Sequence, residues 1–100
     1  MDYYIENGVR RSVAAREAGL TTIMATLHEP GKPPTVVQVA LDELHSPKKS
    51  ISQSDPRFVR ALQGMSSAVS RMKMPPIDVQ RLGEKGQAAT VPLTQVVLDP

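Results

Sequence analysis

Hydrophobic positions recur with helical spacing in the second half of the chain, at steps of four, three, four and three residues: Phe58, Leu62, Met65, Val69 and Met72. This spacing places the five side chains on one face of a helix. Asp55 followed by Pro56 is a typical helix start, and the pair Pro75–Pro76 ends the pattern. We therefore predict one amphipathic helix over residues 55–74, whose apolar seam either packs on its own domain or drives oligomerisation.

The first third of the chain has the composition of short helices separated by glycines. Ser12–Ala18 is rich in strong helix formers, and Gly19 is typical of the residue just beyond a helix. A threonine after this glycine can cap a second helix over Ile23–His28. Met1–Asn7 fits one or two further helical turns that Gly8 ends. We predict a helix, a turn and a second helix.

Thr35–Leu44 carries two conflicting patterns. Thr35 with Gln38 forms a capping-box signature after a proline pair, and the apolar residues that follow share one helical face. Three valines in the same segment favour a strand instead. We predict a helix and keep the strand as the alternative.

The last quarter of the chain changes character. Thr90–Leu98 is rich in β-branched residues, and the glycines at Gly83 and Gly86 fit the turn of a loose hairpin. Pro92 confines its strand to the edge of a sheet. The predicted fold is thus mainly α: residues 1–44 form a helix-turn-helix-like unit, 45–54 a polar connector, 55–74 the amphipathic helix, and 75–100 a β-prone or partly disordered tail.

Composition sets limits on the class of protein. One hundred residues with 40% hydrophobic positions suit a single small domain, although two Tyr, one Phe and no Trp leave few bulky side chains for its core. The absence of Cys excludes disulfides and thiolate metal sites. Without a signal peptide or an apolar run of spanning length, we expect a cytoplasmic protein that does not enter a membrane.

The formal charge of +2 is unevenly distributed. Residues 1–31 carry three Arg against four acidic residues, whereas residues 32–74 carry seven Lys and Arg against three acidic residues. Residues 75–100 carry two basic and three acidic residues. Phosphate contacts usually leave a basic footprint, and here that footprint lies mostly outside residues 8–31, which counts against a simple DNA-binding interpretation of that segment.

Several residues of the first segment occur in the order typical of a helix-turn-helix motif. A small residue allows two helices to approach closely, a glycine makes the turn, and a threonine caps the following helix. The segment resembles the lambda-repressor/Cro-like helix-turn-helix family over residues 8–44, on these residues: Gly8, Val9, Ala15, Gly19, Leu20, Thr21, Glu29, Gly31 and Lys32. Ala25, Leu27 and His28 depart from its pattern of apolar positions.

The resemblance implies a small DNA-binding protein that docks its second helix in the major groove of duplex DNA. We expect a bacterial or phage transcriptional regulator that acts as a homodimer through the seam of the amphipathic helix. Arginines would hold phosphates, threonines would contact bases, and a lysine would support them from the loop. The residues in these roles are Arg10, Arg11, Arg16, Thr21, Thr22, Thr26 and Lys32.

Other interpretations stay open. Ser12–His28 also fits a plain helical hairpin without a nucleic-acid partner. A small adaptor or inhibitor could add a C-terminal strand to the sheet of a protein partner, through Val91, Leu93, Val96 and Val97. A similar order of helix-turn-helix, central helices and β-prone tail occurs in small terminase subunits, which package phage DNA.

The sequence offers little support for catalysis. His28 and His45 have no carboxylates at ligand spacing, so we expect neither a metal nor another cofactor. The segment Gly83–Gly86 lacks the spacing of a phosphate loop. No grouping of nucleophile, base and orienting residue stands out, and we predict that the chain is not an enzyme.

Overall fold

The chain folds as a mixed α/β protein, and the prediction of a mainly α fold is wrong. The computed structural model describes residues 1–83, 86 and 89–100. Three helices are present there: α1 (Val9–Glu17), α2 (Pro56–Met65) and α3 (Ala68–Lys73). The strands are β1 (Tyr3–Asn7), β2 (Thr22–Leu27), β3 (Thr35–Ala40), β4 (Leu44–Ser46), β5 (Ser50–Ser52), β6 (Ile77–Arg81), β7 (Val91–Pro92) and β8 (Val97–Asp99).

Six strands form the main sheet in the order β3-β2-β6-β1-β4-β7. The sheet is mixed, because β6 runs antiparallel to β1 and parallel to β2. β5 and β8 form a separate parallel pair. The main sheet therefore draws on residues that the sequence assigned to separate segments, and a strand from the predicted tail lies near its centre.

The predicted second helix of the helix-turn-helix unit is the strand β2. Its odd-numbered residues turn toward the core, where Ala25 and Leu27 are buried, while Met24 on the opposite face is exposed. This two-residue alternation fits a half-buried strand. All six residues of β2 pair with β3, and three of them also pair with β6. Hydrogen-bonded neighbours on both sides outweigh the short helical signal of this segment.

Of the other segments in the predicted helix-turn-helix unit, one forms the predicted helix and two form strands. Met1–Asn7, predicted as helical turns, contains β1, because Ile5 is fully buried between neighbouring strands. The helix predicted over Ser12–Ala18 is confirmed as α1, and Gly19 follows it with a φ of +82°. Over residues 35–44 the strand alternative is correct for β3, and a 3₁₀ turn follows at Leu41–Glu43.

The amphipathic helix begins where the sequence predicted. The Asp55 carboxylate accepts a hydrogen bond of 2.8 Å from the backbone N–H of Arg57, and Pro56 occupies the first turn. The helix is not continuous to residue 74, however. α2 ends at Met65, and Ser67 caps α3 by accepting a hydrogen bond from the backbone N–H of Ser70. Two short helices, separated by Ser66 and Ser67, replace the predicted single helix.

The predicted hairpin in the tail does not form. β6 pairs with β1 and β2, and β7 pairs with β4, so the two tail strands are not neighbours. Pro92 lies in β7 at the edge of the sheet, as its lack of an N–H donor requires. The prediction of partial disorder falls in part on residues 84, 85, 87 and 88, which lie outside the described residues.

A single hydrophobic core fills the space between the main sheet and the helices. Its fully buried members include Ile5, Val13, Leu44, Ile77 and Val79. α1 contributes small residues on its buried face, which lets it lie close to its neighbours. No helix in the described part of the chain has the length and apolar character needed to cross a membrane.

Candidate anion-binding cleft

A cleft of about 470 Å³ opens where the start of α1 faces α2 and the end of α3. Its basic lining residues come from three elements that are distant in sequence: Arg10, Arg11, Arg57, Arg60 and Lys73. No acidic residue lies among the described residues that line it. The fold thus gathers five cationic side chains around one concave surface.

Gly8 forms the corner where β1 leads into α1 at the floor of the cleft. Its φ of +120° lies in a region that side-chain-bearing residues rarely adopt. A Cβ atom there would also overlap Cγ2 of Ile77, so the position has no room for a side chain. Both constraints require glycine and bring the backbone of the cleft directly against β6.

The start of α1 presents backbone donors that no side chain caps. Gly8 has no side chain for this role, and the first intrahelical bond runs from the N–H of Ser12 to the carbonyl of Gly8. The three amides between them therefore lack partners within the helix. Unpaired amides and the helix dipole both favour an anion at this end.

Two arginines of α1 also hold the walls of the cleft in place. Nε of Arg10 lies 2.6 Å from a carboxylate oxygen of Asp55, the residue that caps α2. Nη1 of Arg11 donates to the carbonyls of Pro75 and Pro76, at 2.8 and 3.0 Å. These contacts tie α1 to α2 and to the segment before β6.

Asp55 is the acidic residue that Arg10 contacts. The hydrogen bond from Arg10 and the backbone N–H of Arg57 lower the pKa of Asp55 below its ordinary value. The carboxylate is therefore ionised at neutral pH and neutralises part of the charge of Arg10. The cleft remains cationic, because four further basic side chains line it.

Arg60 and Lys73 are the cleft cations most open to a ligand. Both are exposed, and neither forms an ion pair within the described residues. Arg57 is also exposed and lies 3.7 Å from Asp55. Sequence reasoning missed these residues as site residues. The signal was present, because 32–74 is the basic segment and Arg57 and Arg60 lie away from the apolar seam.

The structure separates the residues that the sequence assigned to DNA binding. Arg10 and Arg11 line the cleft. Arg16 lies at the far end of α1 and donates to the carbonyls of Leu93 and Val96, both at 2.7 Å, so it binds the C-terminal segment to the helix.

The remaining predicted contacts lie on or beside β2. Thr22 accepts a hydrogen bond of 2.9 Å from Gln38, and Thr26 lies in the same strand. Thr21 precedes β2, and its carbonyl accepts the N–H of Leu41. Lys32 lies beyond β2 and pairs with Glu29 at 3.6 Å. None of these four residues belongs to the cleft.

The predicted oligomerisation residues are divided between core and surface. Phe58 and Met65 are buried in the core of the same chain, and Leu62 packs against it. Val69 and Met72 are 65% and 86% exposed on α3. The five side chains thus form no continuous seam on the surface.

The tail residues predicted to add a strand to a partner are mostly engaged within the chain. Leu93 and Val96 are buried in the core, and Val91 pairs with β4. Val97 is exposed, but its strand pairs with β5.

Both histidines lie near carboxylates that are remote in sequence. Nε2 of His28 is 2.8 Å from Asp78, and Nε2 of His45 is 3.4 Å from Asp2. Strand pairing creates both contacts, which the sequence spacing did not reveal. Across the described residues, no group of three or more His, Asp or Glu is arranged to hold a metal ion.

Family models, curated protein sequences and solved structures gave no match to this chain.

Proposed function

We propose that the protein binds the phosphate groups of a nucleotide or a nucleic acid in the basic cleft. One observation carries the proposal: five basic side chains and the uncapped start of α1 converge on a cleft with no acidic residue among its described lining. Arginine guanidinium groups match the geometry of phosphate oxygens, and helix amides add further donors.

The shape of the cleft bears on the size of the ligand. A volume of about 470 Å³ falls within the range of small-ligand sites. A nucleotide would place its phosphates near the start of α1, with Arg60 and Lys73 neutralising their charge. A nucleic-acid strand would place one or two backbone phosphates against the same basic side chains. Its remaining contacts would lie outside the cleft.

Binding to duplex DNA, expected from the sequence, is one form of this proposal, but its contacts differ from those of a helix-turn-helix. The segment that was expected to enter the major groove is the strand β2. The DNA form therefore rests on phosphate contacts, which carry no direct information on base sequence. It predicts binding with little sequence preference.

The test measures binding of the full chain to random duplex DNA, random single-stranded DNA and a nucleoside triphosphate, each over a series of salt concentrations. Affinity for the correct ligand should fall as salt rises, because binding releases counterions. Preference for the triphosphate would identify the small-ligand form, and preference for DNA the polymer form. Absence of binding to all three at low salt would refute the proposal.

Matched variants locate the binding surface. Arg60→Gln and Lys73→Gln each remove one exposed cleft cation, whereas Lys48→Gln and Lys49→Gln remove exposed cations outside it. For DNA, each cleft variant should reduce the slope of log affinity against log salt by about 1. Equal losses in the two pairs of variants would show a diffuse electrostatic attraction instead of a site.

The other expectations from the sequence stay predictions. They are a role in transcription regulation, the adaptor and small-terminase alternatives, cytoplasmic location and the absence of enzymatic activity. If the triphosphate binds and is not hydrolysed, the result agrees with the prediction that the protein is not an enzyme. If the wild-type chain releases phosphate from it and the cleft variants do not, that prediction is contradicted.

A further inference from the structure

β3 lies at one edge of the main sheet, with β2 on one side and no strand on the other within the described chain. It spans Thr35–Ala40, three times the length of β7 at the opposite edge. A free edge strand presents unpaired backbone donors and acceptors along its length. β3 is therefore the longer open edge of this sheet, and among its residues the N–H of Ala40 already donates to Oε1 of Glu43.

The strand lacks the usual features that prevent edge-to-edge pairing. Its sequence, TVVQVA, contains no charged residue and no proline, and it pairs with β2 through all six residues without a bulge. Proteins commonly protect such an edge with lysine, proline or an irregularity. Val36 in this strand is 60% exposed. The edge thus has the properties of a surface that accepts another strand.

We propose that a second copy of this chain pairs with β3 through its own β3, so that two six-stranded sheets join across a two-fold axis. An antiparallel pair of identical strands must place residues of the same sheet face opposite each other. A pairing centred on Val37 satisfies this condition. It sets Val36 of each copy opposite Gln38 of the other, and Thr35 opposite Val39.

Charges beyond the strand ends select this register. The pairing centred on Val37 places the turn before β3, which carries Lys32, beside the 3₁₀ turn after β3 of the other copy, which carries Asp42, and the two-fold axis repeats this arrangement. Both side chains are exposed, and Asp42 forms no ion pair within the described residues. Lys32 lies 3.6 Å from Glu29 of its own chain, so it must leave or share that surface pair to bind Asp42. The edge is therefore complementary to itself in charge as well as in backbone geometry.

The side chains on both faces fit the same pairing. On the face that carries Met24 and Val36, both exposed, the second copy would cover part of the apolar surface. On the opposite face Val37, partly buried against the core, would meet its own counterpart and extend the apolar layer. This contact differs from the helical seam predicted from the sequence, because it uses neither α2 nor α3.

The test is sedimentation velocity of the full chain over a range of concentrations that reaches high micromolar. About five paired residues from each copy bury less than a standard interface, so a reversible monomer–dimer equilibrium is expected. The double variant Val36→Lys/Gln38→Lys places like charges opposite each other and should weaken dimerisation about tenfold or more. A wild-type chain that stays monomeric throughout would overturn the proposal.

Val69→Lys is the matched control, since it adds a lysine at an equally exposed valine on α3. It should leave the dimer unchanged, and loss of the dimer in this variant alone would assign the contact to the helices.

Asp42→Lys should weaken the dimer, and adding Lys32→Asp should restore it. Circular dichroism of each variant verifies the fold, and failure of the charge exchange to restore dimerisation would reject the register.

Discussion

At the scale of single residues, Asp55 joins the structure of the cleft to its charge. One carboxylate oxygen caps α2 through the N–H of Arg57, and the other accepts from Arg10 on α1. The same residue therefore starts one helix and fixes a cationic side chain of another. Its pKa is lowered by these two contacts, which makes its contribution to stability dependent on pH.

Asp55→Asn should destabilise the protein at neutral pH and have less effect in acid. Folding favours the ionised form, because the folded pKa lies below the ordinary value. That contribution is fully present above about pH 4 and is lost as the pH falls through the lowered pKa. Urea unfolding of wild type and variant from neutral to acid pH measures the difference, which should shrink below that value.

Asp99→Asn provides the control for this comparison. Asp99 is exposed and forms no ion pair within the described residues. Its substitution should change the free energy of unfolding little at any pH. A difference between Asp55→Asn and wild type that stays constant down to the most acid pH would contradict the assigned cause.

At the scale of elements, the turns on either side of α1 decide where the helix lies. Gly8 at its start and Gly19 beyond its end both have positive φ, but their surroundings differ. Gly8 is pressed against Ile77 of β6, whereas nothing lies within 4 Å of a Cβ atom built on Gly19. A side chain at Gly8 would therefore meet both an unfavourable backbone conformation and a steric limit, whereas one at Gly19 would meet only the unfavourable conformation.

Gly8→Ala should destabilise the protein more than Gly19→Ala. The Gly19 substitution should cost about 1–2 kcal/mol, the usual penalty of a left-handed conformation with a side chain. At Gly8 the clash with Ile77 adds to this penalty, because β6 is central and buried. Chemical denaturation measures the free energy of unfolding of both variants. Equal decreases would show that Ile77 in β6 can move to accommodate the new side chain at no cost in stability.

At the scale of the whole molecule, the C-terminal quarter of the chain supplies a strand to the sheet that the N-terminal strands form. β6 lies between β2 and β1, so these two N-terminal strands are joined within the sheet through β6. β6 also supplies Ile77 and Val79, both fully buried. Contacts between distant parts of the chain thus position the cleft residues of α1 and α3 relative to one sheet.

A fragment of residues 1–74 should not fold on its own. Without β6, the hydrogen-bonding edges of β1 and β2 lose their shared partner, and the core loses two buried side chains. Circular dichroism with thermal unfolding tests this expectation, with the full chain as the reference. A cooperative transition in the fragment would show that residues 1–44 form an independent unit, as the sequence suggested.

Local signals in the sequence determined the elements that depend on near neighbours. Asp55 and Pro56 start α2, Gly19 follows α1, and Pro92 lies at a sheet edge, because capping, turn geometry and a missing donor act within a few residues. The candidate cleft could be predicted in part from the sequence, because the local motif already indicated Arg10 and Arg11 as phosphate-binding residues.

Only the tertiary structure decided the rest. β1 and β2 are strands because β6, more than fifty residues away in sequence, supplies hydrogen bonds and burial that no local pattern reveals. The same folding brings Arg60 and Lys73 to the start of α1, and turns Arg16 to the C-terminal segment. A strand is stabilised by its partners in space, so local signals marked the start of α2 and the turn after α1, and the assembled sheet determined which segments are strands.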